Sequence, residues 1–223
     1  MKTMKHSLIA LLVLAAFASC RKTPVTVVVN PPANVAAFSR LVIDGNVKVH
    51  LVPGASNRVD TAVSGVIVKF ATSHTAYITG AGEITAYIND VDTIISNGST
   101  QLLAPTNLNL HHTIFVSNGF STCDINLVAS DSLVFFANGA GPYKFTGSTP
   151  RFNLRTNGFS YIQTYGLISS DCDVKLNGAN TAEVYSSHSL SVFIAGAGSL
   201  YYKGNPPTVS PVVILGAGKL IKM

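Results

Sequence analysis

Thiols, imidazoles and paired carboxylates are the groups with which this chain could do chemistry, and few are placed for it. Three cysteines are present. Counted against the glycine repeat set out below, Cys123 stands four residues after Gly119 and Cys172 six before Gly178, both on positions that face inward by parity. Their rungs are three apart, about 14 Å or more at strand spacing, which is too far for a disulfide. They read as buried, unreactive thiols. His111 and His112 are adjacent, and neighbours on a strand point to opposite faces, so the pair is not expected to share a metal. His50, His74 and His188 are isolated, with no ligand-type residue at useful spacing. Asp90 with Asp92, and Asp171 with Asp173, could place two carboxylates together as calcium or acid–base chemistry requires. Each pair falls near a rung boundary, where Asp is a common turn residue, and turn chemistry is the preferred reading. The Asp-Asp-Arg clusters of β-helical polysaccharide-cleaving enzymes, the calcium nonapeptide, the phosphate loop and the nucleophile elbow are missing. No catalytic residue, metal or cofactor is expected.

The elements that must carry these residues are strands. The chain has 223 residues, 47% hydrophobic and 11% charged, with 18 glycines and no tryptophan, so it buries a core. Runs of Val, Ile, Thr, Ser and Asn favour strands, and past the N-terminus no apolar period of 3.6 residues extends usefully. Glycines recur at 80, 98, 119, 139, 158, 178, 196 and 216, and five of them follow an asparagine, at 97, 118, 138, 157 and 177. Asn-Gly readily takes positive φ, so each repeat should turn there. Four residues before the glycine stand Ile94, Phe115, Phe135, Leu154, Val174, Val192 and Val212; four after it stand Leu102, Cys123, Tyr143, Ile162, Ala182, Leu200 and Leu220. The column five after it, beginning Asp124, Lys144, Gln163 and Glu183, is mostly polar. The first two columns point inward and the last outward.

One such repeat cannot bury its apolar face alone, so the repeats must stack, each strand pairing in parallel with its equivalent in the next. The predicted fold is all-β: a parallel β-helix, or β-solenoid, with rungs of about twenty residues and right-handed crossovers. Eight rungs with seven spacings would reach about 34 Å. Residues 35–79 are expected to form a less regular N-terminal β lobe that covers one end. Pro206, Pro207, Lys219 and Lys222 suit a last rung that does not recruit another strand. Two readings of the corner asparagines stand: an amide ladder ending where Ala195 and Leu215 replace asparagine, or turn geometry alone.

The N-terminus has the form of an export signal over residues 1–19, with Lys2 and Lys5 before the apolar run Leu8 to Ala16. That run is too short to span a bilayer permanently. Phe17-Ala-Ser-Cys20 resembles the bacterial lipobox, with Phe17 in place of the usual Leu; the resemblance implies lipidation of Cys20, and an ordinary secretory signal is the other reading. Residues 20–34, with three prolines, read as a short extended tether between anchor and fold. Loss of Lys2 and Lys5 takes the formal charge from +5 to +3, too weak and scattered for nucleic acid.

One outward column, three before the glycine, is more apolar than a solvated face warrants: Ile95, Val116, Phe136, Arg155, Lys175, Phe193 and Val213. A neighbouring lobe or the N-terminal segment covers it, or Val116, Phe136, Phe193 and Val213 form a contact surface for another copy, a glycan or an envelope protein. The opening Phe38-x-x-Leu-x-Ile-x-Gly45, the Asn-Gly-x-Ser turns and the closing Gly196-Ala-Gly-Ser-Leu-Tyr-Tyr-Lys-Gly204 and Gly216-Ala-Gly-Lys-Leu220 together resemble the putative autotransporter-adhesin head GIN domain, over nearly all of residues 35–223. That resemblance implies a β-helical lipoprotein of the cell envelope, held at the outer membrane, with adhesion or display as its role and no catalytic residues. The other functional class is a carbohydrate-binding or carbohydrate-active β-helix.

Overall fold

The computed structural model describes residues 38–60, 63–71 and 74–223; the signal, Cys20 and the tether lie outside the described residues. Every regular element is a strand: β1 (Arg40–Pro53), β2 (Arg58–Val59), β3 (Val66–Ala71), β4 (Thr75–Ile88), β5 (Thr93–Gly98), β6 (Gln101–Phe120), β7 (Thr122–Gly178), β8 (Thr181–Gly196), β9 (Ser199–Lys203), β10 (Thr208–Gly216) and β11 (Lys219–Lys222). They form one open sheet in the order β11-β9-β8-β7-β6-β5-β1-β4-β2, with β10 attached to β8 and β3 to β4. Apart from β2 and β3, which pair antiparallel with β4, the pairings between elements are parallel. Gly98 sits opposite Gly119, Gly119 opposite Gly139, Gly178 opposite Gly196, and Gly196 opposite Gly216. Corner glycines 18 to 21 residues apart in sequence are thus paired side by side in the sheet.

The two apolar columns of the sequence make the core, except at their last members, where Val212 is exposed and Leu220 half-buried because no further strand covers them. From Ile94 to Val192 on one side of the corner, and from Leu102 to Leu200 on the other, every member is buried. Each large aliphatic or aromatic side chain so placed gains about 1.5–3 kcal/mol by leaving water, and none does so without the rung above or below it. Phe115, Phe135, Tyr143 and Phe145 pack edge-on or tilted, with ring centroids 4.9–5.4 Å apart. The glycine of each corner is required by close approach. A Cβ on Gly196, whose φ is +109°, would lie 2.7 Å from the Gly178 carbonyl oxygen.

The amino end differs from the expected irregular lobe. β1 is a full rung, flanked in parallel register by β4 on one side and by β5 and β6 on the other. Gly45 pairs with both Gly80 and Gly98, so the spatial order of corners is 80, 45, 98, 119 and onward. The excursion through β2 and β3 carries the chain past β1, so that β4 is laid on β1's outer edge, and β3 then covers β4 from Val66 to Ala71. Only β2 and β3 act as the irregular cover.

Candidate binding surface

At the Asn-Gly corner an amide ladder is formed. Asn97 donates to Asp44 at 2.6 Å, Asn118 to Asn97 at 2.9 Å, Asn138 to Asn118 at 3.2 Å, Asn157 to Asn138 at 2.8 Å and Asn177 to Asn157 at 3.0 Å. The only positive φ of a non-glycine residue belongs to His74, among the described residues. The asparagines therefore keep extended backbone and leave the left-handed conformation to glycine, which decides between the two readings of this column in favour of the ladder. Inside the same corner Ser96 bonds Thr100 and Ser121, Ser117 bonds the Tyr143 hydroxyl at 2.9 Å, and Asn180 accepts from the Ser160 amide at 2.9 Å while donating to the Asn177 carbonyl at 2.6 Å. These small polar groups satisfy a bend that would otherwise bury bare amides.

Just outside this corner the residue following the glycine is exposed, apart from half-buried Ala140. It is Phe120 after Gly119 and Phe159 after Gly158, 62% and 72% exposed, with Ala140 on the rung between them. Phe120 also lines an open groove of about 570 Å³ with Asn46, Lys48, Glu83, Gln101 and Thr122. Glu83 holds Lys48 at 3.1 Å and His50 at 2.5 Å, and these two partners, His50 first, keep its carboxyl below the usual carboxylate range. The sequence reading passed over this position because alternation alone assigns it to a turn. A signal was present: a phenylalanine directly after a corner glycine where other rungs have Ala, Ser or Asn.

A second edge gathers the imidazoles and carboxylates. His111 and His112 do not point to opposite faces as expected: the register slips between Leu110 and His112, and both side chains lie outside the core. His111 meets Ser130 at 2.9 Å and its amide donates to Asp90 at 3.1 Å; His112 meets Ser132 at 2.5 Å. Asp131 is paired with Arg151, and the Ser132 hydroxyl, ahead of Arg151, holds its carboxyl below the ordinary value. Asp171 accepts from Ser189 at 2.5 Å and meets His188 at 2.8 Å, which depress its pKa in that order. Asp173 is paired with Arg155. Asp171 and Asp173 therefore each have separate partners. No group of three or more His, Cys, Asp or Glu suited to a metal occurs among the described residues.

Cys123 and Cys172 are both buried and free. Burial pushes both thiols up, that of Cys172 to about 11. The outward apolar column stacks in register: Ile95 beside Val116, Val116 beside Phe136, and Phe193 beside Val213. Val116, Phe136 and Phe193 are half-buried in this stack, and Val213 is exposed.

Residues 57–206 match the family described as "Putative auto-transporter adhesin, head GIN domain". The chain belongs to this family. No curated protein matches it. The head GIN chain is similar in structure to a putative adhesin from Bacteroides fragilis, with a TM-score of 0.74 and 17% identity over 85% of this chain and 94% of the other. It is also similar to a putative lipid binding protein from Parabacteroides distasonis, with a TM-score of 0.62 and 13% identity over 85% and 94%, and to a putative adhesin from Parabacteroides merdae, with a TM-score of 0.55 and 13% identity over 85% and 93%. At these identities the likeness is one of fold.

Proposed function

We propose that the chain is a lipid-anchored protein of the cell envelope, held at the outer membrane through Cys20, whose residues 35–223 coil as a right-handed parallel β-helix and serve as a non-enzymatic adhesion or display head. The observation that carries this reading is the unbroken register of the corner stack, in which glycine lies on glycine and amide on amide from rung to rung. Such a stack is stiff and presents long side faces, which suits holding a surface away from a membrane. The carboxylates support a non-enzymatic role. Asp171 and Asp173, the pair best placed in sequence for acid–base work, are each tied to their own hydroxyl, imidazole or guanidinium partners. Family membership supports adhesion. Within this reading Val116, Phe136, Phe193 and Val213 form a contact face for a partner of the envelope.

Two measurements test it. Metabolic labelling with a fatty acid should mark the chain and fail to mark Cys20→Ala; labelling of both, or of neither, refutes the anchor. Protease added to intact cells should digest the tagged head if it faces outward. Protection until the outer membrane is opened would reject display at the surface and leave a role inside the envelope.

A further inference from the structure

The aromatic corner carries a ligand class. Phe120 and Phe159 are the most exposed aromatic side chains among the described residues, and a large apolar ring held in water on a rigid strand gains nothing for folding. They occupy the same place on rungs two apart, as the stacking of Gly119, Gly139 and Gly158 fixes, which sets them about 9.6 Å from each other along the stack. The residue between is Ala140, in register with Phe120, so no large side chain stands between the two rings. This spacing is close to that of alternate rings in an extended β-linked pyranose chain. Beside Phe120 the groove of about 570 Å³ offers the side-chain amides of Asn46 and Gln101 and the Thr122 hydroxyl, groups that both donate and accept as sugar hydroxyls do.

Charge narrows the class. The charged side chains lining the groove are Lys48 and Glu83, paired with each other at 3.1 Å. Lys144, on the neighbouring outward column, is paired with Asp124 at 3.1 Å. Among the described residues, the one cation lining the groove is thus neutralised by a carboxylate, which favours an uncharged ligand over a polyanion.

We propose that Phe120 and Phe159, with Gln101 and Asn46 in the adjoining groove, form a binding site for an extended neutral glycan, its alternate pyranose rings resting on the two phenyl faces. The proposal deepens the adhesion reading and rests on it for the expectation of a polymer outside the cytoplasm. Binding by the purified chain is nevertheless independent of where the cell displays it, so the two can fail separately.

The test is calorimetric titration of the full chain in detergent with β-1,4-linked glucose and mannose oligomers, from dimer to hexamer, and with a uronic acid hexamer as the anionic comparison. The expected result is weak binding of a neutral hexamer, tighter than its dimer, and little binding of the uronate. Phe120→Ala and Phe159→Ala should each weaken hexamer binding about tenfold, from the loss of one aromatic contact face. Phe159→Ala should also abolish the advantage of hexamer over dimer, while circular dichroism and the urea midpoint stay unchanged. Absence of binding for both neutral series, hexamer binding by either variant as tight as that of the parent chain, or preference for the uronate overturns the proposal. So does a drop in sedimentation coefficient on Phe120→Ala without any glycan effect, which would assign the corner to a second copy of the chain.

Discussion

The amide ladder makes a graded prediction. Asn138 donates to Asn118 at 3.2 Å and accepts from Asn157 at 2.8 Å, so Asn138→Ala removes two hydrogen bonds. Asn177 donates to Asn157 at 3.0 Å, and the next rung has Ala195 in register, so Asn177→Ala removes one. A net hydrogen bond is worth about 0.5–1.5 kcal/mol, toward the lower end here because the freed amides reach water. The expected costs are therefore about 1–2 kcal/mol for Asn138→Ala and about half that for Asn177→Ala. Ala195→Asn should add one bond, to Asn177, and stabilise by about 0.5–1 kcal/mol. Urea unfolding followed by far-ultraviolet circular dichroism measures all three. A double-mutant cycle between Asn138 and Asn157 should show coupling of at least about 0.5 kcal/mol, and one between Asn97 and Asn177, which do not touch, should show none. Equal costs at 138 and 177, no gain at 195 and no coupling would mean that these asparagines serve their own turns only, and the ladder reasoning would be refuted.

Other outcomes follow from the same geometry. Gly196→Ala forces a Cβ to within 2.7 Å of a backbone oxygen at φ +109°, whereas at Gly198, outside the left-handed region, the nearest atom would be at 3.2 Å. Gly196→Ala should cost more than about 2 kcal/mol and several times as much as Gly198→Ala, read from urea midpoints. Asp171 has a depressed pKa in the folded chain, so its contribution is present above the unfolded value near 3.9 and is lost as pH falls through the lower folded value. The stability gap between the parent and Asp171→Asn should therefore close in that acid window, and a gap independent of pH would contradict the assignment. Cys123 and Cys172 should resist a thiol reagent at pH 8 in the folded chain and react fully in denaturant. Phe136→Asp with Phe193→Asp should leave the circular dichroism spectrum intact and abolish partner capture if their column is a contact face; loss of folding would assign the column to packing.

How far the sequence reaches can be judged from particular residues. The corner glycines and the columns four residues to either side were legible because a period of about twenty residues, repeated, leaves the interior little choice. β1 was not legible as a rung, although Gly45 carries the same pattern, with Leu41 four before it and Val49 four after it, both buried, and Asp44 where later rungs have asparagine. Its glycine lies 35 residues from Gly80 and 53 from Gly98, so a search for a period of twenty passes over it. Only parallel pairing on both edges, a long-range property, reveals its place. Local alternation failed at His111 and His112 for a related reason. The rule that neighbours face opposite ways holds along a straight strand, and a slip of one residue at a bend puts both outside.

The aromatic corner follows the same logic. At the residue after a turn glycine, backbone parity no longer dictates a face, so packing does not select the side chain and the choice is free to serve something else. An unforced phenylalanine at such a place, twice, on rungs two apart, is therefore better evidence about what the protein meets than any residue of its core. The buried columns answer to the stack alone, and a different family with the same stack would need them just as much. That is why the fold could be inferred from repeats while the contact chemistry had to wait for the order of the rungs, which alone sets the distance between Phe120 and Phe159.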